Sequence, residues 1–191
     1  MRKIFFDIET KNTFFDVGKN DPALLDISLV GIYDSQEDKF DAFLEDDLAR
    51  LWPIIEKADS LIGFNSEHFD IPLLNKYYPG NLTKIKSVDL LKEIYKSLGR
   101  RIKLDTLAQA TLGKGKIGHG LQAIEWWKNG EIDKLREYCI EDVRITKELY
   151  DYALKNNHLK YHDGIKICEI KIDPSDWEKK EDFGITHILP F

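Results

Sequence analysis

Apolar and aromatic residues run almost without interruption through four short segments in the first third of the chain. Such runs, bounded by polar residues, predict buried β-strands. The four segments are KIFFDIE (3–9), DISLVGIYD (26–34), KFDAFL (39–44) and SLIGFN (60–65). The polar residues SQED join the second segment to the third, which predicts a hairpin.

Elsewhere the apolar residues recur with the spacing of an α-helix. The predicted helices cover 46–58, a segment that opens at Asp70, 87–99, 103–113, 119–130 and 131–157. Pro53 is expected to kink or divide the first of them. A late apolar run at 164–173 predicts a strand at a sheet edge. This order of elements indicates an α/β fold, with a mixed central β-sheet flanked by α-helices.

The composition is that of an ordinary soluble domain, since 42% of the 191 residues are apolar and 32% are charged. We expect a single domain over 1–191, with a core at 1–157 and a C-terminal strand and tail at 158–191. Neither a membrane-spanning stretch nor a signal-peptide pattern is found, so a membrane partner is not expected. The two cysteines, Cys139 and Cys168, lack metal-site spacing and predict buried thiols in a reducing cytoplasm.

Two carboxylates interrupt the first predicted strand. Side chains two residues apart in a strand project from the same face, so Asp7 and Glu9 share one face while Phe6 and Ile8 share the other. An exposed edge strand with two solvated acids is the alternative, but the apolar residues on both faces favour an interior strand. Burying two like charges is costly unless a positive charge lies between them. The pair is therefore a candidate metal site.

A third acid follows the end of the fourth predicted strand. Asp70 begins a helix there, and by itself it is explained as an N-cap. The carboxyl ends of strands in α/β sheets are also where ligands bind, so Asp70 is a candidate for both roles. Asp89 and Asp105, which also open predicted helices, are interpreted as caps only.

A tyrosine and an aspartate lie four residues apart in the last predicted helix. Residues at this spacing are neighbours on a helix surface, so Tyr138 and Asp142 share a face. Leu135 and Leu149 extend the same face as an apolar stripe, which predicts that this face packs inward. Taken singly, the two residues are explained as a core tyrosine and a boundary aspartate.

Taken together, three segments resemble the motifs of the DEDD superfamily of 3′→5′ exonucleases, which have a ribonuclease-H-like fold. The segments are FDIET (6–10), NSEHFD (65–70) and YCIED (138–142). The Tyr-x-x-x-Asp form of the third is that of the DEDDy branch; the sister branch has His at the position of Glu137. The Asn-x-x-x-Phe-Asp form of the second resembles the exonuclease domain of family B DNA polymerases.

The resemblance implies that Asp7, Glu9, Asp70 and Asp142 hold two divalent metal ions, Mg²⁺ or Mn²⁺. It further implies that Asp7 bridges both ions, that Glu9 and Asp142 complete the first site, and that Asp70 holds the second ion. Tyr138 would orient the attacking water. The implied reaction is hydrolysis of phosphodiester bonds at single-stranded 3′ ends, with DNA favoured as substrate.

Two other functions fit the same motifs. One is a catalytically silent nucleic-acid-binding or accessory module of this fold, which the complete set of four acids and Tyr138 disfavours. The other is a ribonuclease-D-like exonuclease that processes RNA 3′ ends and differs only in its substrate. A polymerase or a helicase is a candidate protein partner.

The net charge of −6 argues against a polyanionic partner, but the charge is unevenly distributed. The segment from Lys84 to Lys116 holds nine Lys and Arg against three acids, a balance of +6. Such a run is often only a solvated face; here it predicts an approach path for nucleic acid, with a loop at 113–120. The candidate nucleic-acid contacts are Asn65, Phe69, Lys114, Lys116 and His119.

Overall fold

The computed structural model describes residues 1–115 and 120–179. Its strands are β1 (Lys3–Thr10), β2 (Ile27–Asp34), β3 (Lys39–Leu44), β4 (Ser60–Gly63), β5 (Lys86–Asp89), β6 (His158–Asp163) and β7 (Lys166–Lys171). Its α-helices are α1 (Phe14–Val17), α2 (Leu48–Ile55), α3 (Asp70–Asn75), α4 (Leu90–Leu98), α5 (Leu104–Leu112), α6 (Gly120–Lys128) and α7 (Ile132–Asn156). Short 3-10 turns cover Pro22–Leu24, Glu45–Asp47 and Leu82–Lys84.

The central sheet has five strands in the order β3-β2-β1-β4-β5. The strands β1, β4 and β5 are parallel, whereas β2 and β3 form the predicted hairpin and run antiparallel. This confirms the α/β fold with a mixed central sheet. Because β1, β4 and β5 are parallel, their carboxyl ends lie along one edge of the sheet, where ligands bind in open α/β folds.

Helices cover both faces of this sheet. On one face Phe5 of β1 packs in a cluster with Ile62 and Val88 of the neighbouring strands and with Val143 of α7. On the opposite face the alternate residue Phe6 packs in a second cluster that includes residues of α2 and α3. Asp7 and Glu9, two and four residues after Phe5, therefore project toward the face that α7 covers.

The late strand is present, but it does not lie at an edge of the central sheet. Residues 166–171 form β7, which pairs antiparallel with β6 in a separate two-stranded sheet. The prediction of its location was wrong, because the preceding segment 158–163 is itself a strand and supplies a partner across a tight turn. Further along, Trp177 stacks on Tyr150 of α7, with ring centroids 4.9 Å apart, and packs in the same core cluster as Phe5.

Three local predictions are corrected. The segment 87–99 was predicted as one helix, but its first residues belong to β5 and the helix begins at Leu90. Residues 46–58 give a single shorter helix, α2, which runs through Pro53 without dividing and ends two residues later. Asp105 lies in the first turn of α5, whose N-cap is Lys103; Asp89, in contrast, does cap α4.

The two cysteines are not joined, and only one is buried. Cys139 lies in the core, while Cys168 is partly exposed on β7 because the small hairpin has little cover. Within residues 1–115 and 120–179 no helix has the length and apolar character required to cross a bilayer.

Candidate active site

The acids of β1 lie beside a point where α7 approaches the sheet very closely. Gly31 of β2 is paired with Asp7, and a Cβ atom on Gly31 would lie 2.8 Å from the Sγ atom of Cys139. The thiol of Cys139 donates to the backbone carbonyl oxygen of Asp7, with Sγ 3.4 Å from that oxygen. The absence of a side chain at Gly31 thus allows α7 to pack directly over β1 and β2.

This packing brings the third motif, YCIED (138–142), next to the first, FDIET (6–10). Tyr138 and Asp142 of α7 are only 2% and 3% exposed, and both line one cleft with Asp7 and Glu9. The ring of Trp126 meets the Tyr138 ring edge-on, with centroids 5.7 Å apart, and holds it in place. The prediction that the Tyr138 face of α7 packs inward is confirmed.

The Tyr138 hydroxyl is held in its neutral form. Burial raises the pKa of Tyr138 far above its usual range, and the nearby carboxylates of Asp142, Glu9 and Asp7 raise it further. Its hydroxyl also makes a hydrogen bond with Asp142. A phenol in this environment can donate or accept a hydrogen bond, but it is not a base at neutral pH.

The second motif places its acid at the same cleft. Asp70 is the first residue of α3, whose N-cap is Phe69, so the interpretation of Asp70 as a cap was wrong. The residue is 4% exposed and lines the cleft instead. Burial, followed by the charges of Asp7 and Asp89, raises the pKa of Asp70 well above the ordinary value.

Asp89 fixes the loop of the second motif as well as capping a helix. Its buried carboxylate accepts hydrogen bonds from the backbone N–H groups of Asn65 at 2.8 Å, Glu67 at 3.1 Å and Leu91 at 2.9 Å. The loop after β4 is therefore tied to the start of α4. Sequence reasoning found the cap but missed this second role, because only the parallel pairing of β4 with β5 brings the loop and Asp89 together.

The four acids and Tyr138 line one open cleft of about 530 Å³, which we call the acidic cleft. Of the candidate nucleic-acid contacts, Asn65 and Phe69 also line it. Lys114 does not; its ammonium group donates to both carboxylate oxygens of Glu148, at 2.6 and 2.7 Å. Lys116 and His119 lie outside the described residues.

The donor set of the acidic cleft suits hard divalent cations. Carboxylate oxygens of Asp7 and Glu9 and the Sγ atom of Cys139 lie within 4.8 Å of one another. Mg²⁺ and Mn²⁺ prefer the oxygen donors. Burial raises the pKa of the Cys139 thiol well above its ordinary value, and the charges of Asp7, Glu9 and Asp142 raise it further, so the soft donor stays protonated. The residues present therefore fit Mg²⁺ or Mn²⁺ held by carboxylates.

With this fold and this cleft, the chain belongs to the RNase_H superfamily, whose family model matches residues 4–154. It is also similar in fold to the family B DNA polymerase from the hyperthermophilic archaeon Pyrobaculum calidifontis. That match has a TM-score of 0.63 and 21% sequence identity and covers 81% of this chain, which spans only 24% of the polymerase. None of the curated proteins compared with the chain matches it.

Proposed function

We propose that this protein is a metal-dependent 3′→5′ exonuclease of the DEDDy type that hydrolyses phosphodiester bonds at single-stranded DNA ends. The observation that supports this most strongly is the convergence of Asp7, Glu9, Asp70 and Asp142 with the Tyr138 hydroxyl in one cleft. These residues come from three elements far apart in sequence, β1, α3 and α7.

The carboxylates supply the ligands that such a reaction needs. Asp7 is close to the other residues of the site: its charge raises the pKa of both Asp70 and Tyr138. The four carboxylates would hold the ions, and the motif resemblance assigns Asp7 to both of them, Glu9 and Asp142 to one and Asp70 to the other. When bound, two divalent cations stabilise the charge that develops on the attacking and leaving oxygens.

Tyr138 positions the attacking water rather than deprotonating it. Its raised pKa keeps the hydroxyl neutral, and the hydrogen bond with Asp142 together with the edge-on contact of Trp126 fixes its orientation. Holding a water in line for attack lowers the entropic part of the barrier without any proton transfer to the phenol.

The walls of the acidic cleft suit a terminal nucleoside. Phe69 packs edge-on against Phe14, with ring centroids 6.0 Å apart, and both line the cleft together with Leu25 and Ile124. Aromatic and aliphatic walls accept a base without selecting its identity. The 3′ polarity of cleavage rests on the motif resemblance.

The test uses a 5′-labelled single-stranded oligonucleotide, as DNA and as RNA, with Mg²⁺, Mn²⁺ or EDTA. We expect a ladder of shortened labelled products with metal, none in EDTA, and slower cleavage when the 3′ hydroxyl is blocked. Asp142→Asn should abolish the ladder, whereas Glu141→Gln, the adjacent acid that pairs with Arg144 on the surface of α7, should leave it unchanged. Early release of the 5′ label as a mononucleotide would contradict the polarity.

Two alternatives give different results in the same assay. A silent binding module retains the oligonucleotide in a binding measurement but gives no ladder with any metal. A ribonuclease-D-like enzyme degrades RNA faster than DNA. A polymerase or a helicase is retained as a proposed partner, and the polymerase is favoured because one similar solved structure is a DNA polymerase, of which this chain spans 24%.

A further inference from the structure

A second cleft continues from the acidic cleft along the start of α4. It consists of two adjoining cavities of about 490 Å³ and about 390 Å³, which share Asn65, Leu91 and Arg101 as lining residues. The larger of the two also touches Asp7 and Asp142, which line the acidic cleft. We call this pair of cavities the basic cleft, because Lys92, Arg101 and Lys103 line it.

Arg101 lies where the two clefts meet. Its guanidinium donates to the side-chain oxygen of Asn65, which lines both clefts. Among residues 1–115 and 120–179 it forms no salt bridge with a carboxylate, although Asp7, Asp89 and Asp142 line the same two cavities. A guanidinium group without a salt-bridge partner binds phosphate oxygens well, because its planar fork of donors matches the phosphate geometry.

Besides Asp7 and Asp142, which it shares with the acidic cleft, the basic cleft is lined by two acids that are already engaged. Asp89 accepts backbone N–H groups, and Glu67 forms an ion pair with Lys92. The exposed ammonium of Lys103 adds a second cation near Arg101, on the side toward the acidic cleft. Since Lys92 is paired with Glu67, Arg101 and Lys103 are the cations that remain for a ligand, next to the carboxylates of Asp7 and Asp142.

An aromatic ring closes the far end of the basic cleft. Tyr95 of α4 is 55% exposed, although most aromatic residues of the chain are buried or half-buried, and it lines the smaller cavity with Arg101 and His68. Proteins that bind single-stranded nucleic acids use exposed aromatic rings beside cations, since bases stack on the rings while the cations contact the phosphate backbone.

We propose that the basic cleft binds the nucleotides on the 5′ side of the scissile bond. Arg101 and Lys103 contact their phosphates and Tyr95 stacks on a base, while the terminal nucleoside occupies the acidic cleft. This inference rests on the proposed function for the direction of the strand. It identifies the ligand of the basic cleft as a single-stranded polynucleotide of more than two residues.

The chain contains a matched control beside the key residue. Arg100 precedes Arg101 but points away from the basic cleft: its guanidinium lies 5.0 Å from the centre of the Tyr161 ring and 3.4 Å from a carboxylate oxygen of Asp163. Arg100→Ala and Arg101→Ala remove the same charge from adjacent positions. Only the second removes it from the cleft.

The experiment compares substrates that do and do not reach the basic cleft. The p-nitrophenyl ester of thymidine 5′-monophosphate fills the acidic cleft alone, whereas an oligothymidylate of eight nucleotides extends beyond it. For Arg101→Ala we expect KM for the octamer to rise about ten- to a hundredfold, as for the removal of a hydrogen bond to a charged group. KM for the ester should change far less. The slope of log KM against log salt concentration should flatten by about 0.7 for each phosphate that the variant no longer neutralises.

Tyr95 gives an independent readout. Tyr95→Ala should raise KM for the octamer by about tenfold, and Tyr95→Phe should restore it, because a phenyl ring stacks as well as a phenol. Arg100→Ala should match the unmodified enzyme on both substrates. Equal effects of Arg101→Ala on ester and octamer, or an unchanged octamer KM and salt slope, would overturn the proposal.

Failure of the proposed function is recognised separately. If no substrate is cleaved, the exonuclease assignment falls, and the basic cleft is then tested by fluorescence anisotropy with a labelled octamer in EDTA. Weaker binding by Arg101→Ala and Tyr95→Ala, but not by Arg100→Ala, would still support the cleft. Equal binding by all three variants would refute it.

Discussion

Replacing Tyr138 by Phe removes the hydroxyl that we place beside the attacking water and retains the ring. The ring is almost fully buried and packs against Trp126, so the substitution should leave the core intact. Misplacement of a reacting group by about 1 Å costs about 10²-fold in rate. At about 1.4 kcal/mol for each tenfold step, that is about 3 kcal/mol of barrier. We therefore expect kcat to fall by this factor while KM and Mn²⁺ affinity change little.

The same substitution also has a cost in stability, which must be separated from the catalytic effect. The hydroxyl makes a hydrogen bond with Asp142, and removing a hydrogen bond to a charged group costs about 1.5–3 kcal/mol. For a chain of this length each kcal/mol lowers Tm by about 2–4 °C. Rates should therefore be measured well below the melting temperature of the variant, with metal affinity measured on the same sample.

Tyr150→Phe is the matched control. Tyr150 lies on the same helix and is fully buried, and its hydroxyl oxygen makes no hydrogen bond within the described part of the chain. Removing that hydroxyl should leave kcat unchanged and should hold or raise Tm, because a buried polar group without a partner is itself destabilising. A Tyr138→Phe enzyme with the kcat of the Tyr150→Phe control would refute the positioning role.

Three further predictions concern charge and packing. The pKa of Asp70 is raised on folding, so its ionisation lowers the stability of the fold as pH rises through the folded-state pKa. In EDTA, Asp70→Asn should therefore raise Tm more at pH 8 than at pH 4. An equal gain in Tm at both pH values would contradict this. Gly31→Ala should lower the free energy of unfolding in urea by about 1–3 kcal/mol, because its Cβ would lie 2.8 Å from Sγ of Cys139. Adding Cys139→Ala should recover part of that stability. If the effects of the two substitutions on the free energy of unfolding are simply additive, the clash is ruled out. Replacing Lys114 and Lys116 with Ala should raise KM and weaken its salt dependence, and an unchanged salt slope would return the pair to a solvated surface.

Long, regular patterns were predicted correctly from the sequence. The run that gives β1 and the helical repeat that gives α7 extend over enough residues for their period to be clear. The shared face of Asp7 and Glu9 and that of Tyr138 and Asp142 follow from those periods, whereas their selection as site residues came from the motif resemblance. The short strand β5 was missed because four residues, KSVD, show no period. Its strand character comes from pairing with β4 rather than from its own composition.

Contacts between distant elements account for what the sequence could not reveal about the site. Nothing local distinguishes Gly31 from any other strand glycine, yet it determines how closely α7 approaches Asp7. Asp89 was identified as a cap from its position before α4, but its hydrogen bonds to the loop of the second motif require β4 and β5 to be adjacent. The basic segment from Lys84 to Lys116 was recognised in the sequence as a charge run. Which of its cations line a cleft and which lie elsewhere on the surface depends on how α4 and α5 pack.

Asn65 has a consequence for the range of sequences that this site tolerates. It adopts a left-handed backbone conformation, with φ of 66°, at the position where the acidic and basic clefts meet. Glycine, asparagine and aspartate accept that conformation readily, whereas most other residues are destabilised there by about 1–2 kcal/mol before any contact is considered. In a library that samples every amino acid at position 65, the folded members should be enriched in those three. Diversification of substrate preference is thus restricted at this position by the main chain, and new specificities are more accessible at Tyr95 and Lys103, where the backbone is helical or extended.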